Sequence, residues 1–250
     1  MQRIIKQAQR LVLWLADIVF PVECLGCGQS GQWLCLSCLQ NISWRIIQTC
    51  PVCLHPNLWG EYCDHCYQSL DGIMVASSYE DKLLKQAIKD YKYHLAKELA
   101  QPLSTSLIVW LGRLLQESSV LKDKAALPKL LEYFNHCLII PVPLSRRRQA
   151  WRGFNQSELL ARPLADFFNL DLDCQHLKRI KYSQPQVKLT KQARLINIQK
   201  SFVWQGQNLN QRNILLIDDL TTTGATLSEC AKVLKRHGAG EVWGLVLAKN

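Results

Sequence analysis

Four Cys-x-x-Cys pairs, all within the first 66 residues, constrain the fold of this 250-residue chain more than any other feature. The pairs are Cys24/Cys27, Cys35/Cys38, Cys50/Cys53 and Cys63/Cys66. Each pair places two sulfurs on one tight turn, and two such turns supply the four thiolates of a tetrahedral zinc site. The eight ligands predict two zinc ions, most simply with the first pair joined to the second and the third to the fourth. Interleaved pairing, disulfides and an iron–sulfur cluster are the alternatives that the spacing leaves open.

Such closed sites leave no coordination position for a substrate, so we expect the zinc to be structural. The zinc would stabilise the domain formed by residues 1–70, a segment too small to fold alone. A larger domain at 71–250 follows it. Repeated Cys-x-x-Cys pairs are typical of a reducing compartment, which predicts a cytoplasmic protein.

The apolar run Leu11–Val22 is the one segment that suggests a signal peptide or a membrane segment. It is only about half the length of a membrane span, and Asp17 interrupts it. No small-x-small cleavage site follows it. We interpret the run as an amphipathic or buried helix and predict no membrane span.

The net charge of +10 is concentrated in one segment. Residues 141–200 contain twelve Lys and Arg against four Asp and Glu, whereas residues 1–70 contain four of each kind. A local excess of positive charge is typical of proteins that bind phosphate groups or nucleic acids. A solvated surface without a partner is the alternative.

After residue 70 the hydrophobic pattern alternates between strand-length and helix-length segments. It predicts strands over 137–143, 213–218 and 241–248. It predicts helices over 80–103, 155–168 and 226–238, with Asn155 as the N-cap of the one at 155–168. Over 103–117 it predicts either a second helix or a continuation of the first past Pro102. Alternating strands and helices indicate an α/β fold, a parallel sheet flanked by helices, here with a small cysteine-rich domain in front of it.

One predicted strand ends in two acidic residues, Asp218 and Asp219, and a loop of hydroxyls and glycine follows. In parallel sheets, ligands bind at the carboxyl ends of strands. The loop residues Thr222–Thr226 precede a helix, and backbone N–H groups, hydroxyls and a helix N-terminus all favour a phosphate. The carboxylates repel a phosphate, so they would hold another part of the same ligand, such as sugar hydroxyls or a metal ion. A phosphorylated ribose meets both demands; a strand, turn and helix without a ligand is the alternative.

The stretch ILLIDDLTTTGATL, residues 214–227, resembles the phosphoribosyl pyrophosphate (PRPP) motif of type I phosphoribosyltransferases. The resemblance implies that Asp218 and Asp219 hold the ribose hydroxyls of magnesium-bound PRPP. It assigns the 5′-phosphate to Thr222, Thr223, Gly224, Ala225 and Thr226. In that family the loop after the first core strand contacts pyrophosphate, which implies this role for Arg146, Arg147, Arg148 and Arg152 within 144–154. A mobile hood is implied for residues 181–199, with Lys188, Lys191 and Arg194 available.

The order of these motifs is similar to that of the ComF family, whose members support DNA uptake in natural competence. Its specific parts are the four cysteine pairs, the block RGFNQSELLA at 152–161 and the PRPP motif. The resemblance implies single-stranded DNA as a partner, together with a helicase or recombination protein.

Three functional hypotheses follow. The preferred one is a competence protein that binds PRPP or a related phosphoribosyl ligand and handles single-stranded DNA. An active phosphoribosyltransferase is the alternative, although Thr222 stands where several purine enzymes of that family have an aspartate, and no base-recognition element is evident. An interaction scaffold with a vestigial pocket is the third.

Overall fold

A computed structural model describes residues 21–66, 69–93, 96–120, 133–134, 137–180 and 200–250 of the chain. The expected helix within 11–22 lies mostly outside these residues, and the expected hood at 181–199, with Lys188, Lys191 and Arg194, lies wholly outside them. The elements in chain order are α1 (Leu36–Gln40), β1 (Gln48–Thr49), β2 (Pro56–Asn57), β3 (Gly72–Ser78), α2 (Lys82–Tyr93), α3 (Ala100–Val120), β4 (Leu138–Pro141), α4 (Arg146–Arg152), α5 (Gln156–Phe168), β5 (Asp171–Leu172), β6 (Leu177–Arg179), β7 (Phe202–Trp204), β8 (Ile214–Thr221), α6 (Ala225–Arg236) and β9 (Val242–Lys249). Two 3₁₀ turns, Asp64–Cys66 and Lys97–Leu99, complete the set. Within the described part, no helix is both long enough and apolar enough to cross a membrane.

The chain divides into two compact units between Ile42 and Ser43. The described part of the first unit, residues 21–42, contains α1 and the first four cysteines of the chain. The second unit contains the other cysteine pairs and all the strands of the described residues. The domain limits 1–70 and 71–250 stay a prediction; by contacts, the unit that holds the sheet begins at Ser43.

Five parallel strands form the sheet of the second unit, in the order β3-β9-β8-β4-β5. The strands β4 and β8 are neighbours, with Pro141 opposite Ile217. Because β4 ends opposite Ile217, Asp218 lies beside the residues that follow Pro141, whereas β8 continues past them to Thr221. The predicted α/β class with helices flanking a parallel sheet is confirmed.

Both faces of the sheet are covered, as an all-parallel sheet requires. Alternate strand residues such as Ile140, Leu216 and Val246 pack in one cluster with Leu227 and Leu234 of α6. The helix α5 packs against β4 and β8, and α3 packs on α5. This layering fixes the first turns of α5 and α6 beside the carboxyl end of β8.

The helix predicted over 80–103 is wrong as a single element, because α2 ends at Tyr93 and α3 begins at Ala100. Pro102 has no backbone N–H and suits only the first turn of a helix, so a new helix begins just before it. The predicted helix over 155–168 is confirmed, and the Asn155 side chain accepts a hydrogen bond from the Ser157 N–H at 3.2 Å. The strand β3 was not predicted: its sequence GIMVASS is a short apolar run that ends in small residues.

Candidate functional site

The eight paired cysteines form two groups, and each group unites neighbouring pairs. Cys24, Cys27, Cys35 and Cys38 form the first group, and Cys50, Cys53, Cys63 and Cys66 form the second. Within each group the sulfurs lie within 4.8 Å of one another. The Cys27 and Cys35 sulfurs are 3.7 Å apart, close to the roughly 3.8 Å that a tetrahedral site with Zn–S bonds of about 2.3 Å requires.

The electrostatics of both groups fit a divalent cation. Burial opposes ionisation of Cys24, but N–H groups of Cys35, Gly26 and Cys27 point at its sulfur and lower its pKa to about 6. Cys50 behaves in the same way, with a pKa lowered to about 6. The neighbouring sulfurs raise the pKa of Cys38 and of Cys63 to about 12, so four thiolates need a cation to coexist. Both groups are thus structural zinc sites of the predicted kind, in which the zinc would hold two turns together.

The second group is attached to the sheet of its own unit. Cys50 is fully buried in the apolar cluster that contains Ile73 and Leu227, and Cys63 and Cys66 pack against that cluster. The Gln48 side chain brackets Val75 of β3, accepting from its N–H at 2.8 Å and donating to its carbonyl at 3.2 Å. The ribbon therefore covers one edge of the edge strand β3.

The acidic pair lies within β8, just before its last residues, and is held by α5, the helix that begins with the NQSELLA part of the block. The Ser157 hydroxyl donates to Asp218 Oδ1 at 2.9 Å, and the Asp219 N–H donates to the same oxygen at 2.9 Å. The Gln156 amide approaches Asp219 Oδ1 at 3.5 Å and accepts from the Arg152 guanidinium at 2.8 Å. Sequence analysis found this block but not its contact with the carboxylates, since the two segments are about sixty residues apart.

Lys92, which sequence analysis missed, is the principal counter-ion of the pair. Its Nζ lies 2.6 Å from Asp219 Oδ2, and the Asp219 side chain is only 2% exposed. Burial and the neighbouring Asp219 raise the pKa of Asp218 to about 7, while Lys92 and the Ser157 hydrogen bond oppose the rise. The only sequence signal was a cation four residues after Ile88 on the apolar face of α2.

The loop after β8 has the shape of a phosphate cradle. The Gly224 N–H donates to Thr221 Oγ1 at 3.1 Å, and Gly224 adopts a left-handed conformation with φ of 76° directly before α6. Thr222, Thr223 and Thr226 are partly exposed, whereas Gly224 and Ala225 are buried. The hydroxyls are therefore accessible, and Gly224 and Ala225 contribute backbone rather than side chains. The first N–H groups of α6 have no partner within the helix and favour an anion.

The predicted pyrophosphate loop is mostly the short helix α4, capped by the Ser145 side chain and ended by Gly153 with φ of 74°. The expected irregular loop is thus wrong in its conformation, because Ser145 supplies a cap and the arginines that follow favour a helix. Arg146 and Arg147 are exposed, whereas Arg152 is buried and engaged with Gln156. Arg146 and Arg147 are therefore accessible to a ligand, whereas Arg152 stabilises the Gln156 side chain inside the fold.

A cavity of about 650 Å³ lies beside α4 at the carboxyl end of β4. Arg146, Arg147, Lys178 and Arg179 contribute to its wall, and the one acidic residue of the described wall, Glu158, pairs with Arg162. Lys178 and Arg179 were not singled out from the sequence. The cavity is positively charged and within the size range of small-molecule sites.

Two exposed aromatic side chains lie next to the cationic helix. Trp151 is 60% exposed and Tyr93 is 54% exposed, with their ring centroids 6.2 Å apart. The Arg152 guanidinium lies 5.4 Å from the Tyr93 ring centroid. Arg147 and Arg148 precede Trp151 by four and three positions on α4, so their side chains neighbour the indole. We call Tyr93, Trp151 and these arginines the aromatic platform.

Comparison with known proteins gives one domain match and several relatives. Residues 15–67 match the family described as the double zinc ribbon domain. Competence protein F of Haemophilus influenzae is 29% identical over 229 residues, 86% of this chain and 96% of that protein. DNA utilization protein YhgH of Salmonella typhi is 29% identical over 221 residues, 85% and 89% of the two chains. Competence protein ComFC of Bacillus subtilis is 27% identical over 214 residues, 82% and 79%. These relatives confirm the resemblance to the ComF family that the motifs indicate.

Proposed function

We propose that this protein takes part in DNA uptake or utilization, that it binds PRPP or a related phosphoribosyl ligand, and that it contacts single-stranded DNA. The similarity to proteins named for competence and DNA utilization supports the first statement. The observation that carries the second is the acidic pair Asp218–Asp219, held near the carboxyl end of β8, which leads into a phosphate cradle.

The chemistry of this strand end suits a phosphoribosyl group. Asp218 accepts both internal hydrogen bonds at Oδ1, and we expect its other carboxylate oxygen to accept from a ribose hydroxyl. Asp219 is balanced by Lys92, so the pair carries less repulsion toward a ligand phosphate than two free carboxylates would. The cradle at 221–226 then receives the 5′-phosphate, and the accessible Arg146 and Arg147 receive the pyrophosphate with its magnesium ion.

Calorimetric titration of the zinc-loaded protein with magnesium-PRPP tests this ligand. Binding should vanish in the Asp218→Asn/Asp219→Asn variant and persist in Asp166→Asn, which removes an exposed carboxylate on α5. Ribose 5-phosphate and pyrophosphate, titrated separately, report the two halves of the site. Absence of binding in the folded wild-type protein would refute the PRPP proposal.

The aromatic platform supports the contact with single-stranded DNA. Base stacking on an aromatic side chain contributes about 1–3 kcal/mol per base, and adjacent arginines neutralise phosphates. Because both rings are more than half exposed, bases reach them without opening the fold. Duplex DNA keeps its bases stacked on one another, so the platform should favour single strands.

An abasic oligonucleotide separates stacking from charge. Fluorescence anisotropy should show that the protein binds oligo-dT more tightly than an abasic strand of equal length. Trp151→Ala should remove this difference, whereas Phe167→Ala, which removes an aromatic ring that is 65% exposed on α5, should preserve it. Equal affinity of the wild-type protein for both strands would argue for phosphate contacts alone.

Phosphoribosyl transfer is the alternative, and the cavity beside α4 favours it. Its volume of about 650 Å³ accommodates an acceptor, and its cationic wall favours an anionic one. In that reaction the acceptor displaces pyrophosphate from C1 of the ribose. Pyrophosphate release that stays at background across a panel of bases and amines would exclude it.

A further inference from the structure

We propose that the second zinc ribbon forms part of the framework of the phosphate cradle, with Tyr62 as the positioning residue, so that zinc at Cys50–Cys66 and a ligand at 221–226 strengthen each other's binding. The linkage to PRPP rests on the proposed function, whereas the mechanical link between ribbon and cradle does not. The first ribbon, in the other compact unit, serves as the internal comparison.

The ribbon is joined to β3 by backbone hydrogen bonds next to its zinc ligands. The Ile73 N–H donates to the Gly60 carbonyl at 2.9 Å, and the Tyr62 N–H donates to the Asp71 carbonyl at 3.2 Å. Gly60 has φ of 81°, and a Cβ there would lie 2.0 Å from the Ile73 carbonyl oxygen. Only glycine permits this close approach, so the position of the ribbon on the strand is closely fixed.

Tyr62 extends this joint to the cradle. It directly precedes the zinc ligand Cys63 and is only 8% exposed. A Cβ on Gly224 would lie 3.3 Å from the Tyr62 hydroxyl and 2.9 Å from Ile73 Cδ1. Tyr62 and Ile73 therefore occupy the space that a side chain on Gly224 would fill. Gly224 is the left-handed residue of the cradle, so these two side chains pack against its backbone.

The same apolar cluster contains a zinc ligand and the first turn of α6. Cys50 is fully buried there together with Tyr62, Ile73, Ala225 and Leu227. Closely packed interiors transmit displacement rather than absorb it. Loss of the second zinc would release Cys50 and Cys63 and thereby remove the support of the loop at 221–226, whose N–H groups must be aligned to bind a phosphate.

Such coupling is reciprocal: if zinc raises the affinity for the ligand by some factor, the ligand raises the affinity for zinc by the same factor. Typical couplings are about 5- to 150-fold. The effect should be confined to the second ribbon and should depend on Tyr62.

Equilibrium competition for zinc with a chromophoric chelator measures the coupling in the full chain. In Cys35→Ser, which keeps the second site intact, saturating PRPP should raise the zinc affinity at least about fivefold. In Cys63→Ser, which keeps the first site, PRPP should have no effect on the zinc affinity. Tyr62→Ala should abolish the increase, and Tyr62→Phe should weaken it, because the Tyr62 atom nearest Gly224 is the hydroxyl oxygen. Equal zinc affinities with and without bound PRPP would overturn the proposal.

Hydrogen exchange of amides 221–226 tests the mechanical link without any ligand and without changing a cysteine. Tyr62→Ala should raise their exchange rates at least about tenfold relative to the wild type, and Tyr62→Phe should raise them less, with β4 amides unchanged as a check of folding. Removal of zinc from the second site should give the same pattern. Unchanged exchange at 221–226 would overturn the proposal even if PRPP binds, and raised exchange with no PRPP binding would sustain the link while refuting the proposed ligand.

Discussion

Replacement of Asp218 by asparagine should stabilise the protein while it removes ligand binding. The Asp218 carboxyl is raised from a pKa of 3.8 to about 7, first by burial and then by the charge of Asp219. Asparagine has nearly the same shape, and its amide oxygen keeps the hydrogen bonds from the Ser157 hydroxyl and the Asp219 N–H. The variant therefore removes an unfavourable buried charge at little packing cost.

The sign and size of the effect follow from proton linkage. Between the unfolded and the folded pKa, the folded protein binds more protons than the unfolded chain, so its stability falls as pH rises. Above about pH 7 the penalty reaches its full value of at most about 4 kcal/mol, since one pKa unit corresponds to about 1.36 kcal/mol. At pH 5.5 only about 2 kcal/mol of it is present.

Urea unfolding of the zinc-loaded wild-type and variant proteins at pH 5.5 and 8.5 measures this penalty. The advantage of Asp218→Asn should grow by about 2 kcal/mol between the two pH values. Asp166→Asn, at an exposed site, should change stability by less than about 0.5 kcal/mol at either pH. A variant that is no more stable than the wild type at pH 8.5, or an advantage independent of pH, would refute the reasoning.

Three other changes probe the same site. Affinity for magnesium-PRPP, followed by calorimetry, should fall as pH drops below about 7, because protonated Asp218 is a poorer acceptor for ribose hydroxyls. Lys92→Met should destabilise the fold by about 3 kcal/mol, since it leaves Asp219 buried without its partner. It should also shift the pH midpoint of PRPP binding upward, because Lys92 lowers the pKa of Asp218. In urea titrations Lys92→Met/Asp219→Asn should recover much of the lost stability, and no recovery would contradict the pairing. Gly224→Ala should lose more thermal stability than Gly153→Ala. Both glycines are left-handed, but only at Gly224 would the added methyl lie 2.9 Å from another side-chain atom, Ile73 Cδ1. Equal losses would contradict the packing argument.

The sequence was most informative where local chemistry decides structure. Cysteine spacing predicted two zinc groups, and the apolar run before Asp218 predicted a strand; both are confirmed, but the strand continues through the acidic pair to Thr221 instead of ending at Asp218. The Asn155 cap was also predicted correctly, because capping depends on neighbours in sequence.

Contacts between distant segments could not be predicted in this way. Lys92 meets Asp219 only because α2 and β8 are packed together, and nothing local in either segment indicates it. The strand β3 was missed because its apolar run is short, and its partner β9 lies at the other end of the chain. Tyr62 and Gly224 are more than 160 residues apart in the sequence, so their proximity could not be predicted from either segment.

The pairing of β3 with β9 has a consequence for synthesis of the protein. Gly72 lies opposite Trp243, so one side of β3 stays unpaired until the residues of β9 have been made. At about 5–20 residues per second, the roughly 170 intervening residues take roughly 10–35 s to translate. During that time an apolar strand with free N–H and C=O groups is a template for aggregation. The adjacent zinc ribbon is complete as soon as Cys66 emerges and shields the other side of the strand. Zinc shortage should therefore appear first as insoluble nascent chains, before any loss of function in molecules that have already folded.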